Sequence, residues 1–452
     1  MNSNKEKYTS NNAKTSGGEG FSSAYGFLMT AIGLAVGVGS LWRFPYICGT
    51  NGGALFILVY IIIVLIIGMP LLAAEMSMGY ITQKTAINAY KDLTPKNRKC
   101  WHVVSYLHIA AAQMIYSYTI PIYAYLLIYI WRTSTGFFSG LGPKEIELSF
   151  TNLQSDFPLV IFFALLNWLM VALVVNKGLQ GGIEKLSKIL LPALAVIMAI
   201  CIFVGLQVPG SMKGVEFLLK PDISSFSFKS VMAALGQALF AIGIAMLGSM
   251  VFGSYLKGEK ENLFQHSMLI CIAIIVAGIA AGFTIFPLVF AFNLEPSAGM
   301  SLTLITLPNV FNYITGGRIV GTLFYVGFYV AAFTSAIGIM EAIVAVMMES
   351  MKLTRSKAVL STTAIGLVIG TTSIISPSAF QLFDYITSDY LIVLGALGLS
   401  IFVGWIWGIK NFLSASGVTN PAIRLWLTIS VKYLCPVAIA VIFIGNMIQN
   451  FK

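Results

Sequence analysis

Gly33-Leu34-Ala35-Val36-Gly37-Val38-Gly39-Ser40 lies in the middle of an apolar run covering about residues 23–47, and its three glycines decide how the chain is read. Each glycine in a helix interior costs about 1 kcal/mol relative to alanine. A helix crossing a membrane through this stretch is therefore expected to break halfway. Ala241-Ile242-Gly243-Ile244-Ala245-Met246-Leu247-Gly248 repeats the pattern inside another apolar run, about residues 230–255, five runs later. Small residues in membrane helices also serve close helix packing, which would account for one such cluster. Two clusters at corresponding places in two five-helix halves point instead to an inverted-repeat carrier with its site at the midplane. The Gly37–Gly39 pair is not a dinucleotide fingerprint, since no strand precedes it and no third glycine follows.

Working outward, apolar stretches fall at about residues 23–47, 54–80, 101–131, 157–176, 186–207, 230–255, 265–292, 317–348, 358–375, 388–409 and 424–448. Each is near or above the ~20 residues that cross a hydrocarbon core. The expected fold is an all-α membrane protein of eleven transmembrane helices, with inverted five-helix repeats and broken spans 1 and 6. Repeat one covers about 23–207, repeat two about 230–409, and 424–448 is an extra helix, all in a single transporter domain over 21–452. Composition agrees: 58% hydrophobic and 10% charged residues, where soluble domains carry about 25% charged. Residues 1–20 are rich in Asn, Ser, Lys and Gly without an apolar h-region, so they read as a disordered cytoplasmic tail and not a cleaved signal.

The net charge of +10 is a topology signal and not a nucleic-acid footprint. With the N-terminus cytoplasmic, eighteen Lys and Arg fall on inner connections against seven on outer ones, the positive-inside bias. The expected location is the cell inner (plasma) membrane, multi-pass. The five cysteines show no CxxC, and His102, His108 and His266 show no metal-ligand spacing.

Further motifs follow in order. Span 1 continues as Leu41-Trp42-Arg43-Phe44-Pro45, Asn51-Gly-Gly-Ala opens span 2, and Glu75-Met-Ser-Met-Gly79 ends it. Lys177-Gly-Leu-Gln-Gly-Gly-Ile-Glu184 leads into span 5. Gly236-Gln237 precedes the second break, Gly253-Ser-Tyr255 follows it, and Thr334-Ser335 lies in span 8. With these anchors the chain resembles the neurotransmitter:sodium symporter family, of the bacterial amino-acid type with the leucine-transporter fold. The resemblance runs from about residue 21 to the end.

It implies a sodium-coupled symporter holding its substrate between spans 1, 3, 6 and 8. The family's second sodium site maps onto the carbonyls of Gly33, Val36 and Ala331 and the hydroxyls of Thr334 and Ser335. Substrate positions map onto Ala35, Val38 and Gly39, Met114 and Tyr118, Phe240, Ala241, Gly243 and Met246, and Ser335 and Ile339. Whether Tyr116 or Tyr118 is the substrate tyrosine stays open. At the first sodium site, Ser40, Ala241 and Ala273 stand where relatives carry stronger oxygen ligands. Oxygen is also lost from the chloride site at Ala241 and Ala277, although Tyr60 and Gln237 remain. Leu34 stands where monoamine carriers place an aspartate.

The resemblance places gates at Arg43 with Asp384 on the outer side, and at Tyr255 and Glu349 on the inner side. A buried arginine in a span is costly, so a partner is expected. Glu75 is expected to bond backbone near the breaks. The family's N-terminal latch residues are here Gly18, Phe21 and Ala24, which implies a weakened inner latch.

The expected function is sodium-coupled import of an apolar or aromatic amino acid, with Na+ mainly at one site and no chloride. Alternatives are a sodium-independent or proton-coupled exchanger, or a non-transporting solute sensor on the same fold. No span carries a nucleophile–base pair or metal cluster, so no enzyme is expected. The partners are the substrate, sodium and the lipid bilayer, with no nucleic acid. The sequence does not give the oligomeric state.

Overall fold

The computed structural model describes residues 19–98, 100–223, 227–257, 261–292 and 302–450. The expected tail lies outside these residues up to Gly18. Among the described residues there are helices and no strands. Among the described residues, nine helices are long and apolar enough to cross a membrane: span 2 (Ala54–Thr82), span 3 (Val103–Thr135), span 4 (Phe157–Asn176), span 5 (Leu179–Leu206), span 7 (Leu263–Ala291), span 8 (Gly317–Met351), span 9 (Arg355–Ile375), span 10 (Pro377–Ile406) and span 11 (Pro421–Met447). Ala24–Ala35 and Val38–Thr50, bent by 47° at the glycine cluster, make span 1. Phe228–Ile242 and Gly248–Ser254 make span 6, each half too short to cross alone.

Both breaks follow from the residues present. Span 1 stops at Val36, and its next residue, Gly37, leaves helical geometry altogether. Span 6 stops at Gly243 in the left-handed region (φ 76°), a common helix C-terminus. Ala245 (φ 61°) and Leu247 (φ 67°) then hold left-handed backbone without being glycine. Such residues cost about 1–3 kcal/mol each and persist only where the surroundings over-determine them.

Span 8 is the axis of the bundle. Its most apolar window is 94% buried, against 28% for span 5. Ala331, Ala332, Ser335, Ala336 and Gly338 keep it thin, so neighbouring backbones approach closely. Spans 4 and 5 turn large apolar side chains outward, among them Phe162, Leu169, Val196 and Phe203. Lipid is the solvent that suits such a surface.

Candidate functional site

The break in span 1 frees two carbonyls. In an unbroken helix Gly33 and Val36 would accept from the amides of Gly37 and Ser40. Here the Gly37 amide donates to Ala35 (3.1 Å) and the Ser40 amide to Gly37 (3.2 Å). Span 8 faces this point. The Ser335 hydroxyl donates to the Leu34 carbonyl at 2.9 Å, and Thr334 Oγ1 donates to the Ala331 carbonyl at 3.0 Å. A Cβ at Gly33 would meet Thr334 Cβ at 3.4 Å. Gly33 thus meets Thr334 along a seam between spans 1 and 8 that also holds Ala331 and Ser335, and Val36 sits at the break beside it. All their donor atoms are oxygen, the ligand type a hard monovalent cation takes.

Beside the seam lies a cavity of about 40 Å³. Span 1 lines it with Ala35, Val38 and Gly39, span 6 with Phe240, Ala241, Gly243 and Met246, and span 8 with Ser335 and Ile339. Val38 opens the second half-helix of span 1, and the first amides of a helix have no intrahelical acceptor. They supply donors for an anionic group. Leu34 closes the wall, packed so tightly that a Cβ at Gly248 or Gly338 would come within 2.2 or 2.9 Å of it.

Span 3 departs from the sequence reading. Met114 and Tyr118 do not line the cavity; Ile115, Thr119 and Tyr123 do. The Tyr118 hydroxyl donates to Asp384 Oδ1 at 2.7 Å, and the Tyr116 hydroxyl to Met340 Sδ at 3.3 Å. The stripe Ile115–Thr119–Tyr123 has helical i, i+4 spacing, a signal overshadowed by the tyrosines at 116 and 118.

At the first-site position Ser40 and the chloride-site position Gln237, the side chains bond span 1 backbone, while Gln237 Oε1 is left without a partner. Ser40 Oγ donates to the Ala35 carbonyl (3.3 Å), and Gln237 Nε2 to the Gly39 carbonyl (2.7 Å).

At one end of the cavity, Arg43 and Asp384 do not form a direct ion pair. The Arg43 guanidinium lies 4.5 Å from the Phe240 ring centroid, a cation–π contact. Asp384 accepts instead from the hydroxyls of Tyr118 and Ser388 (3.1 Å).

At the other end, Tyr255 and Glu349 part company. Glu349 accepts from the Thr85 amide and from Asn88 Nδ2, both at 2.7 Å, at the start of the short helix Ala86–Leu93. The Tyr255 hydroxyl donates to Glu341 Oε1 at 2.8 Å. The fully buried Glu341 also accepts from Arg355 (2.7 Å), and Arg355 pairs in turn with Glu19. The segment after Glu19 is held as well. Gly20 accepts from Gln180 Nε2 (2.6 Å), and the Ser22 amide donates to Glu184 (2.9 Å). Phe21 packs its ring on Phe27, Phe252 and Tyr255. The latch expected to be weak is thus built from different residues, with an acid on the N-terminal segment and the arginine on span 9. Gly18 lies outside the described residues.

Glu75 does not bond backbone near the breaks. Its Oε1 lies 3.4 Å from His108 Nδ1, and neither carboxylate oxygen has a hydrogen-bond partner.

The broken-helix seam of oxygens lies beside this cavity, and comparison with known proteins gives the family. The sequence profile of the sodium:neurotransmitter symporter family matches residues 18–139 and 148–452. The chain belongs to that family. It is 31% identical over 449 residues to an uncharacterized sodium-dependent transporter of Haemophilus influenzae, covering 94% of this chain and 98% of the relative. A Bacillus subtilis protein described in the same words is 30% identical, with 94% and 97% covered. Among solved structures, that of MhsT in complex with L-phenylalanine superposes with a TM-score of 0.88 at 30% identity, covering 95% of this chain and 100% of that one. The protein is a multi-pass, sodium-coupled secondary transporter and not an enzyme.

Proposed function

We propose that this carrier imports an apolar or aromatic amino acid, driven by one sodium ion at the seam between spans 1 and 8, without chloride. The observation that carries this reading is the pair of carbonyls, Gly33 and Val36, released by the break where span 1 meets Thr334 and Ser335 of span 8. Ser40, whose hydroxyl is spent on the Ala35 carbonyl, with Ala241 and Ala273 carrying no side-chain oxygen at the other candidate sodium position, supports a single sodium. One charge crossing 100 mV supplies about 2.3 kcal/mol, enough to concentrate substrate.

The substrate carboxylate rests on the amides of Val38 and Gly39 and a hydroxyl of Thr119 or Tyr123. The side chain lies among Ile115, Phe240, Met246 and Ile339. The phenylalanine bound by the solved relative supports this class, and Leu34 disfavours amines that lack a carboxylate. The basic bias of the connections supports a cytoplasmic N-terminus in a plasma membrane, so the Arg355 cluster faces inward and Asp384 outward. Residues 23–207 and 230–409 are the two inverted repeats.

The test is uptake of L-phenylalanine into proteoliposomes under a sodium gradient. The expected sodium Hill coefficient is near one, unchanged when gluconate replaces chloride. Thr334→Ala with Ser335→Ala should abolish sodium stimulation while the protein stays folded. A coefficient near two, or full stimulation in the double variant, overturns the single-site reading. Accumulation unchanged in choline would establish the sodium-independent exchanger instead.

A further inference from the structure

A second cavity, of about 250 Å³, lies between the end of span 3 and the start of span 8. Arg318 in its wall and Ser335 at the sodium seam are on the same helix, about 26 Å apart at 1.5 Å per residue. The space therefore belongs to neither the seam nor the substrate cavity beside it. Turn-forming sequence builds it. Span 3 stops at Gly136 (φ 78°) and span 8 starts after Gly316 (φ 72°), both in the left-handed region that glycine fills without strain. A Cβ at Gly140 or Gly316 would meet nothing within 4 Å.

The polar side of this cavity has donors to spare and, among its described lining residues, no acid. Arg318 directs Nε (2.8 Å) and Nη2 to the Ser134 carbonyl, which fixes the plane of the guanidinium. Nη1 takes no acceptor among the described residues and borders the gap left by Gly136. A Cβ there would lie 3.4 Å from Ser139 Oγ and 3.6 Å from Nη1. Among the described residues the Arg318 amide, in the first turn of span 8, has no backbone acceptor, and the helix dipole at this end favours an anion. Thr133 gives an independent signal. It is 5% exposed, lines the cavity, and its hydroxyl has no partner. Thr119, Thr284 and Thr322 instead donate to the carbonyl four residues earlier, the usual habit of threonine in a helix. A buried hydroxyl left unpaired is costly, and a bound acceptor would relieve it. Phe138, Phe311 and Ile314 make the rest of the wall apolar.

We propose that this cavity is a second binding site, for a small carboxylate with an apolar tail. The carboxylate is held by Arg318 Nη1 and the Ser139 hydroxyl, with the Arg318 amide and the Thr133 hydroxyl as further donors. Two carboxylate oxygens offer about four lone-pair sites, enough for that set. The tail lies against Phe138, Phe311 and Ile314. An inorganic anion would leave this apolar wall to water, and a neutral apolar molecule would leave the donors unpaired. With no acid in the described lining, an ammonium group finds no counter-charge. The ligand is thus a plain carboxylic acid in its ionised form and not the transported amino acid.

The site rests on neither the sodium nor the substrate reading, and the test is run without sodium. Hydrocinnamate is titrated by calorimetry into the full-length protein in choline chloride. Hydrocinnamyl alcohol, which keeps the tail, and acetate, which keeps the carboxylate, are titrated alongside. Hydrocinnamate should fill one saturable site with a Kd of about 1 mM or tighter. The other two should bind at least about tenfold more weakly. Arg318→Gln should weaken hydrocinnamate by about tenfold or more. Thr133→Val keeps the side-chain shape and removes the unpaired hydroxyl. It should weaken binding several-fold while thermal unfolding comes no earlier than in the wild type. If Arg318→Gln does not fold, Thr133→Val against the wild type decides. Equal binding of acid and alcohol, equal affinity in the wild type and the folded variants, or no saturable heat up to about 10 mM overturns the site. Acetate binding as tightly as hydrocinnamate overturns the ligand class.

Discussion

At the Glu19 end of the cavity the chain is tied by charge: Glu19, Arg355 and the buried Glu341 form one chain of ion pairs, with Tyr255 donating into it. At the Asp384 end, the arginine lies over an aromatic ring and the carboxylate takes hydroxyl donors. The first arrangement parts only by exposing or stranding a buried carboxylate. The second parts by sliding a ring from under a guanidinium and breaking two neutral-donor hydrogen bonds. Unequal chemistry at the two ends means unequal cost of opening, and the Arg355 end is the harder to open.

The largest effect should come from Arg355→Gln, which leaves Glu341 buried without a cation. Removing one partner of a buried pair costs about 3–5 kcal/mol. Uptake should be lost and thermal unfolding should move markedly earlier. Adding Glu341→Gln should restore most of the stability; a double variant as unstable as the single would mean that the pair is not what seals this end.

A middle-sized effect is expected at the other end. Tyr118→Phe removes a donor to a charged acceptor, about 1.5–3 kcal/mol, seen as weakened sodium-dependent substrate binding. In a double-mutant cycle, Arg43→Ala and Asp384→Asn should couple by less than about 1 kcal/mol, since no direct ion pair joins them. Arg355 and Glu341 should couple by far more. Equal couplings at the two ends would erase the contrast.

The smallest effect belongs to Glu19→Gln. Its side chain is 32% exposed, and exposed pairs are worth about 0–1 kcal/mol. A shift of a few degrees or less in unfolding temperature is expected, shrinking further at high salt.

The two ends also differ in how legible they were. Arg43 and Asp384 sit beside motifs that carry the family resemblance, so sequence marked them, although not that a ring would intervene. Glu19, Glu341 and Arg355 are more than 300 residues apart at the extremes and lie in no motif, and only packing brings them together. Both breaks were readable because glycine is costly in a helix. The register of span 3 was not, since Pro121 follows Thr119 at a helix junction and the tyrosines nearby offered a plausible but different alignment. Glu75 drew notice as a deep carboxylate; His108, an ordinary histidine in an apolar run, gave no sign that it would be its neighbour.

The left-handed backbone at Ala245 and Leu247 has a consequence for how this chain evolves and how it could be engineered. Both positions carry conformational energy that glycine would release. Leu247 is fully buried, and glycine there would forfeit its packing. Ala245→Gly loses one methyl, making it the cleaner route to a more robust protein. That methyl is also what reaches Gly395, so the same change should loosen the contact between the hinge and span 10. Thermal tolerance gained at this position would come with slower turnover, the familiar exchange between robustness and activity, here traceable to a single carbon atom.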